Sequence, residues 1–254
     1  MTSDTTGDLG SLLGVWAHPD DEAYLSAGLM MHAVDEGRRV VCVTATKGEA
    51  GFPDDDPRSA AERSQIRETE LAACLEVLGV TEHRWLGYAD GGCAGVDDEE
   101  AARAIAAIVD ELRPDTVLTF GPDGGTGHSD HIAACRWTTL AMSYAQHRPR
   151  LLYATKTSQW SDLYFSGADP SRVMMVEGLQ PERVDESEVD VYYACDDRLL
   201  ARKVASLRAQ ASQVEPFLQT LGLENYTALV REEFFREPRP SDPEYIERAR
   251  AFGG

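Results

Sequence analysis

The sequence predicts an α/β protein: a Rossmann-like, mostly parallel sheet flanked by helices, with a C-terminal extension near its functional edge. Three observations carry this. Short apolar runs alternate with longer stretches whose apolar residues recur every three or four positions. The runs Leu12–Trp16 and Thr116–Phe120 are close to continuously apolar, as strands buried on both faces are. The 254 residues, 43% of them hydrophobic, suffice for one substantial core. Residues 1–10 are polar and expected to be disordered. Residues 11–254 are expected to form one domain, a core over 11–155 and an extension over 156–254.

The elements follow in order. Leu12–Trp16 reads as a strand and residues 21 to about 37 as a helix. Arg39–Thr44 is the second strand, followed by the loop Thr46–Gly51. The acidic stretch Phe52–Arg58 holds two prolines and reads as a loop. Ser59 opens a long helix running to Leu78. Thr81–Leu86 is a short strand. Glu99–Leu112 is a helix with Ala102, Ile105, Val109 and Leu112 on one face, ended by Arg113-Pro114. Thr116–Phe120 is the next strand, Gly121–Gly127 a glycine-rich loop with Gly121–Gly125 read as a flap, and a helix begins near His131. Leu151–Ala154 is a strand. Ser158–Glu188 has no period and reads as a long irregular stretch. Val189–Ala194 is a late strand. Leu200, Val204, Leu207, Ala211 and Val214 mark one amphipathic helix. From Pro216 the tail is rich in aromatics and prolines.

Composition narrows the function. With 44 acidic and 24 basic residues the net charge is −20, which argues against phosphate-backbone binding and against an anionic membrane surface. No apolar run reaches membrane-spanning length. No segment pairs a basic start with a long apolar core, so no leader peptide is expected. The cysteines, Cys42, Cys74, Cys93, Cys135 and Cys195, are odd in number and form no Cys-x-x-Cys pair. They point to a reduced, cytoplasmic protein; Cys93, between glycine and acidic loops, stands out. Gly124-Gly125-x-Gly127 lacks the lysine and spacing of a nucleotide loop.

Two segments carry the chemistry. Ala17-His18-Pro19-Asp20-Asp21-Glu22 directly follows the first strand. Gly127-His128-Ser129-Asp130-His131 follows the strand Thr116–Phe120 and its loop. In open α/β sheets ligands bind at the C-terminal edge of the strands. If the two strands are parallel neighbours, both His/Asp clusters meet there. Imidazole and carboxylate together are a ligand set for Zn²⁺ or a similar divalent ion. Adjacent Asp side chains point in different directions, so one can bind metal while the other acts as a base.

This pair of motifs resembles the LmbE-like, or PIG-L, family of zinc-dependent N-deacetylases, which includes enzymes acting on glucosaminyl inositols and glucosaminyl malate. The first motif matches residue for residue; in the second, Ser129 replaces the usual Pro. Thr46–Gly51, Arg67, Glu70 and Leu78-Gly79 also fit. The resemblance is good over about residues 11–140 and returns as a fragment at Lys203–Gln213, where Gln210 stands in place of a frequent His. At Thr126 some relatives carry an aromatic.

The resemblance implies His18, Asp21 and His131 as metal ligands, with Zn²⁺ as the expected cofactor and Fe²⁺ or Co²⁺ as substitutes. It implies Asp20 as general base, with helix capping as its alternative role. His128 is the expected oxyanion stabiliser or acid, with Asp130 accepting a hydrogen bond from it; Asp130 could equally cap the helix. Arg67 is expected to bind substrate, or else to pair with Glu68 or Glu70. Glu49 and Asp90, in loops at the same edge, are expected either to bind sugar hydroxyls of the substrate or to orient ligands, and Glu22 suits a helix start. The expected function is removal of an acetyl group from an N-acetylated small molecule, most naturally an N-acetylglucosamine conjugate. A larger amide, a metal-binding protein without turnover and a metallophosphoesterase are the rivals. The partners expected are a small-molecule N-acyl substrate, no nucleic acid and no membrane; a homo-oligomer is left open.

Overall fold

The structure, a computed structural model, describes residues 7–165, 182–244 and 246–247. Its strands are β1 (Leu12–Trp16), β2 (Val40–Thr46), β3 (Glu82–Tyr88), β4 (Thr116–Phe120), β5 (Arg150–Thr155), β6 (Val191–Ala194) and β7 (Glu232–Arg236). They form one sheet in the order β3-β2-β1-β4-β5-β7-β6. Pairs from β3 to β5 are parallel, and β7 lies antiparallel between β5 and β6. The helices are α1 (Asp21–Asp35), α2 (Ala60–Leu78), α3 (Asp98–Leu112), α4 (Ser129–Tyr144), α5 (Ser158–Phe165), α6 (Asp197–Ala209), α7 (Ala211–Leu221) and α8 (Leu223–Leu229).

One feature of this order positions the site. β1 and β4 are parallel neighbours, with Leu12 opposite Thr116. From β1 the chain winds outward through β2 and β3 on one side; from β4 it winds through β5 on the other. Their C-terminal ends therefore flank the point where the winding reverses, which opens a crevice in such sheets. Every residue of β1, β2 and β4 is buried, in keeping with their largely apolar sequences.

Local signals set the helix ends. Ser59 caps α2 in a capping box with Glu62, and Gly79 closes the helix in the left-handed region at φ 78°. Asp97 caps α3 by accepting from the Glu100 amide.

The structure departs from the sequence reading mainly in the second half. The stretch read as irregular opens with α5; its residues 166–181 lie outside the described residues. The single amphipathic helix over 200–214 is two helices, α6 and α7, broken at Gln210. The tail after Pro216 continues α7, adds α8 and returns as β7. Two glutamates at the start of β7 disguise it. Glu233 is nonetheless fully buried, because Lys203 pairs with it at 2.6 Å and the Gly28 and Leu29 amides donate to it. At the other end, Leu9 belongs to the core and its carbonyl accepts from the Thr116 hydroxyl, so packing begins before residue 11. Residues 1–6 lie outside the described residues.

Candidate active site

The two motifs converge. His18 closes the turn after β1, and its backbone amide donates to Asp21 Oδ2 at 2.8 Å. His131 sits in the first turn of α4, its ring stacked on Phe120 at 4.2 Å between centroids. His18 Nδ1 lies 3.1 Å from His131 Nε2. Asp21 offers Oδ2 at 3.6 Å from His18 Nδ1 and Oδ1 at 3.4 Å from His131 Nε2. Bonds of about 2.0–2.2 Å from Zn²⁺ to N and O ligands imply tetrahedral edges of roughly 3.3–3.6 Å, and the three separations, the nitrogen pair slightly shorter, lie close to that range. The far side of each ring fits too. His131 Nδ1 donates to the Gly124 carbonyl at 2.9 Å. His18 Nε2 faces Asp90 Oδ1 at 3.0 Å and Asp130 Oδ2 at 3.3 Å. With those nitrogens carrying the protons, the inward ones present lone pairs, the arrangement that orients a metal-binding His. Burial opposes a charge on His18, but the hydrogen bonds to Asp130 and Asp90 and the Asp21 charge outweigh it and raise the ring to about 10. Burial lowers His131 to about 4.

His128 approaches the same point. Its ring lies 4.8 Å from His18 and 5.0 Å from His131 between centroids, and ligand atoms of the three lie within 4.8 Å of one another. It differs from the other two in its partner. His128 is the N-cap of α4, and its Nδ1 accepts from the Asp130 amide at 3.1 Å. That places the proton of the neutral ring on Nε2, a donor rather than a ligand atom. Burial and the neighbouring His18 charge hold its pKa below the ordinary histidine value, which favours the neutral form.

Asp20 has the most constrained backbone of the site. Its φ is 101°, a region costing a non-glycine residue about 1–3 kcal/mol. Although it is the N-cap of α1, its side chain makes no capping hydrogen bond, so the capping role does not account for it. Contacts around it fix the strained turn: the Asp20 amide donates to Glu22 Oε2 at 3.1 Å, and Arg67 donates to the Pro19 carbonyl and to Asp20 Oδ2. Burial pushes Asp20 up to about 8, against Arg67 and reinforced by the charges of Asp21 and Glu22. Arg67 also donates to the Gly48 carbonyl. Gly48 has φ +67°, and a Cβ there would lie 2.7 Å from the Arg67 guanidinium carbon. Only glycine lets this loop rest on the arginine.

Several expected roles change. Arg67 does not pair with its helix neighbours: Glu68 meets Lys47 and Glu70 accepts from Ser212. Arg67 lines the cavity, but its guanidinium is committed to the strained turn. Asp90 lines the cavity and takes the orienting role of its two expected ones, one oxygen facing His18 and the other accepting from the Ala50 amide. Glu49 is absent from the cavity lining; it accepts from the Asp90 amide at 3.1 Å and so holds the Asp90 loop. Asp130 neither caps α4 nor accepts from the His128 side chain. It accepts from the Gly91 and Cys93 amides and from His18. Glu22 stands in the first turn of α1, as expected, and is also a buried acceptor, taking hydrogen bonds from Gln210 at 2.6 Å and Cys74. The glycine-rich loop is tied down rather than flap-like, since Asp123 accepts from the Gly125 and Glu182 amides. Cys93 is fully buried, and burial raises its thiol far above the ordinary value, which makes it inert.

These groups open onto a cavity of about 580 Å³. The sequence reading missed the groups lining its far walls. Tyr24 and Leu25 come from α1, Phe217 from α7, and Lys156 and Trp160 from the segment after β5. Tyr24 follows the first motif closely and had a local signal; the others reach the cavity only through the fold. The buried Tyr226 hydroxyl donates to that of Tyr24 at 3.0 Å, leaving the Tyr24 proton free to point elsewhere.

Residues 13–142 match the family described as PIG-L: GlcNAc-PI de-N-acetylase. The chain belongs to the PIG-L family. A 1D-myo-inositol 2-acetamido-2-deoxy-alpha-D-glucopyranoside deacetylase of Acidothermus cellulolyticus is 34% identical over 239 residues, covering 80% of each chain. Among solved structures, N,N'-diacetylchitobiose deacetylase from Pyrococcus horikoshii is similar with a TM-score of 0.58 at 22% identity, covering 90% of this chain and 84% of that one. GalB, the 4-carboxy-2-hydroxymuconate hydratase of Pseudomonas putida, is similar with a TM-score of 0.63 at 15% identity, covering 91% and 97%. At that distance the likeness is one of fold, and fold alone does not fix chemistry. PIG-L membership does: the protein is an enzyme, an N-deacetylase.

Proposed function

We propose that the protein removes the acetyl group from an N-acetylglucosamine conjugate, with a divalent cation, Zn²⁺ in the first place and Fe²⁺ or Co²⁺ as substitutes, held by His18, Asp21 and His131. The observation that carries this is the convergence of the two imidazole nitrogens and the two Asp21 oxygens at 3.1–3.6 Å, each imidazole oriented by an acceptor on its outer nitrogen. When bound, such an ion polarises the amide carbonyl and makes water acidic enough to attack near neutral pH. Asp20, raised toward the working pH, takes the proton of the attacking water and passes it to the leaving amine. Neutral His128 offers its Nε2 proton to the oxyanion that develops on the carbonyl. Asp90 and Asp130 orient His18, and Arg67 keeps Asp20 in its strained position.

The uncharged inositol 2-acetamido-2-deoxy-glucopyranoside named in the Acidothermus enzyme is one candidate substrate. A larger acyl group is a second reading, favoured by a cavity of about 580 Å³ whose Leu25, Phe217, Leu229 and Val230 face is apolar. That volume is within the range of pockets for drug-sized ligands. We assign the enzyme to the reducing cytoplasm, since all five cysteines are free and buried. No helix among the described residues is long and apolar enough to cross a membrane.

The test is acetate release from a panel of N-acetylglucosamine glycosides, the inositol one included, by chelator-stripped protein before and after Zn²⁺ is restored. Zinc-dependent release supports the reading. No release from any glycoside with zinc bound refutes it, and release of a longer acyl group then supports the second.

A further inference from the structure

Away from the His/Asp cluster the same cavity holds a cation that the deacetylation chemistry does not use. Lys156, just past the end of β5, lines it beside Trp160. Its Nζ lies 4.4 Å from the Trp160 ring centroid and 5.7 Å from that of Phe234. Aromatic faces attract an ammonium group but cannot satisfy three N–H donors. Among the described residues, the neighbouring carboxylates are engaged elsewhere. Glu233 is held by Lys203, Glu232 accepts from the Tyr192 hydroxyl, and Glu182 is paired with Arg236. The other cations of the cavity are engaged too, Arg67 with Asp20 and Arg183 with Asp162. Among the described residues, Lys156 is thus the cavity cation without an anionic partner. In a chain with 44 acidic residues against 24 basic ones, that is not for want of carboxylates.

We propose that Lys156, backed by Trp160, is the subsite for an anionic group, a carboxylate or a phosphate, on the amine side of the substrate. An acetyl group carries no charge, so the anion must lie across the amide from it, on the sugar or its aglycone. The inference rests on the deacetylase reading and deepens it. It also separates this enzyme from the Acidothermus relative, whose named substrate is uncharged.

The test uses three N-acetylglucosamine glycosides with aglycones of similar size: one neutral, one carboxylated, one phosphorylated. Their kcat/KM values are measured with the zinc-loaded wild type, K156M and K156R. The wild type should favour at least one anionic glycoside by roughly tenfold or more, the order expected of one hydrogen-bonded charge pair. The effect should fall mainly on KM, because the group is remote from the reacting amide. The preference should collapse toward unity in K156M and largely survive in K156R. Which anionic glycoside is favoured distinguishes carboxylate from phosphate. Equal kcat/KM for all three, or a preference retained by K156M, overturns the subsite while leaving the deacetylase reading standing. No acetate from any of them, with zinc bound, overturns that reading and the subsite with it.

Discussion

A charge kept in place for a ligand should weaken the fold without one, and Lys156 allows this to be measured. Burial, helped by the Lys203 charge, lowers Lys156 from 10.5 to about 8. At roughly 1.4 kcal/mol per tenfold in an equilibrium, this corresponds to about 3 kcal/mol against the charged form. Water in the cavity screens part of it, so we expect about 1–3 kcal/mol. The sign follows from linkage. The folded pKa lies below the unfolded one, so the penalty is absent above about 10.5, grows as pH falls, and is full below about 8. Replacing Lys156 with Met removes the charge and keeps the apolar stem over Trp160. K156M should therefore be more stable than wild type at pH 7, by a melting-temperature rise of about 2–12 °C at 2–4 °C per kcal/mol for a chain near this size. The gain should shrink toward zero near pH 10.5. Thermal and urea melts at pH 7 and pH 10, on apo and zinc-loaded protein, decide it. A K156M that is less stable at pH 7, or equally stabilised at both pH values, would mean that the ammonium is a structural partner of Trp160 and Phe234 rather than a strained group awaiting an anion.

Four other outcomes are expected. Asp20→Asn should retain its metal by elemental analysis but lose about 10²–10⁴ in kcat, the range for loss of a positioned base; undiminished turnover would remove Asp20 from that role. His131→Ala should lose metal, and a fully loaded variant would show that the ligand set is wrong. Gly48→Ala places a Cβ against the Arg67 guanidinium at positive φ, and should cost about 1–3 kcal/mol in urea melts together with activity; wild-type values for both would show that the loop shifts freely. The preference for an anionic glycoside should decline as pH rises through about 8 or somewhat above, because Lys156 discharges there and a bound anion raises its pKa. Lys203, Glu232 and Glu233 are the charged groups acting on it, and a ratio flat from pH 7 to 10 would mean that another group reads the anion.

What was legible in the sequence was local. Each motif is a strand, a turn and a helix start within about twenty residues, so His18, Asp21, His128 and His131 could be placed at strand ends from pattern alone. Their meeting needed only β1 and β4 to be parallel neighbours. The groups around them were harder to read because their roles depend on distant chain. Asp90 reaches His18 only because β3 and its loop end at the same sheet edge, and Asp130 turns from its own helix to the Gly91 and Cys93 amides of that loop. Glu49 carries the charge of a substrate-binding residue but spends it on the Asp90 amide. β7 was hidden by Glu232-Glu233, since nothing in its own sequence shows that Lys203, thirty residues earlier, will neutralise Glu233 in the core. Gln210 looked like a loss of chemistry at a frequent His position; in the fold it breaks α6 from α7 and donates to buried Glu22. That carboxylate in turn accepts from the Asp20 amide, so the C-terminal segment supports the strained turn at Asp20 from behind. The part of the chain beyond the family match at residues 13–142 therefore does two things: it braces the turn at Asp20 and, through α5 and α7, supplies the far wall of the cavity. Differences in substrate among members of this fold should therefore lie in that wall, while the chemistry stays with the two motifs.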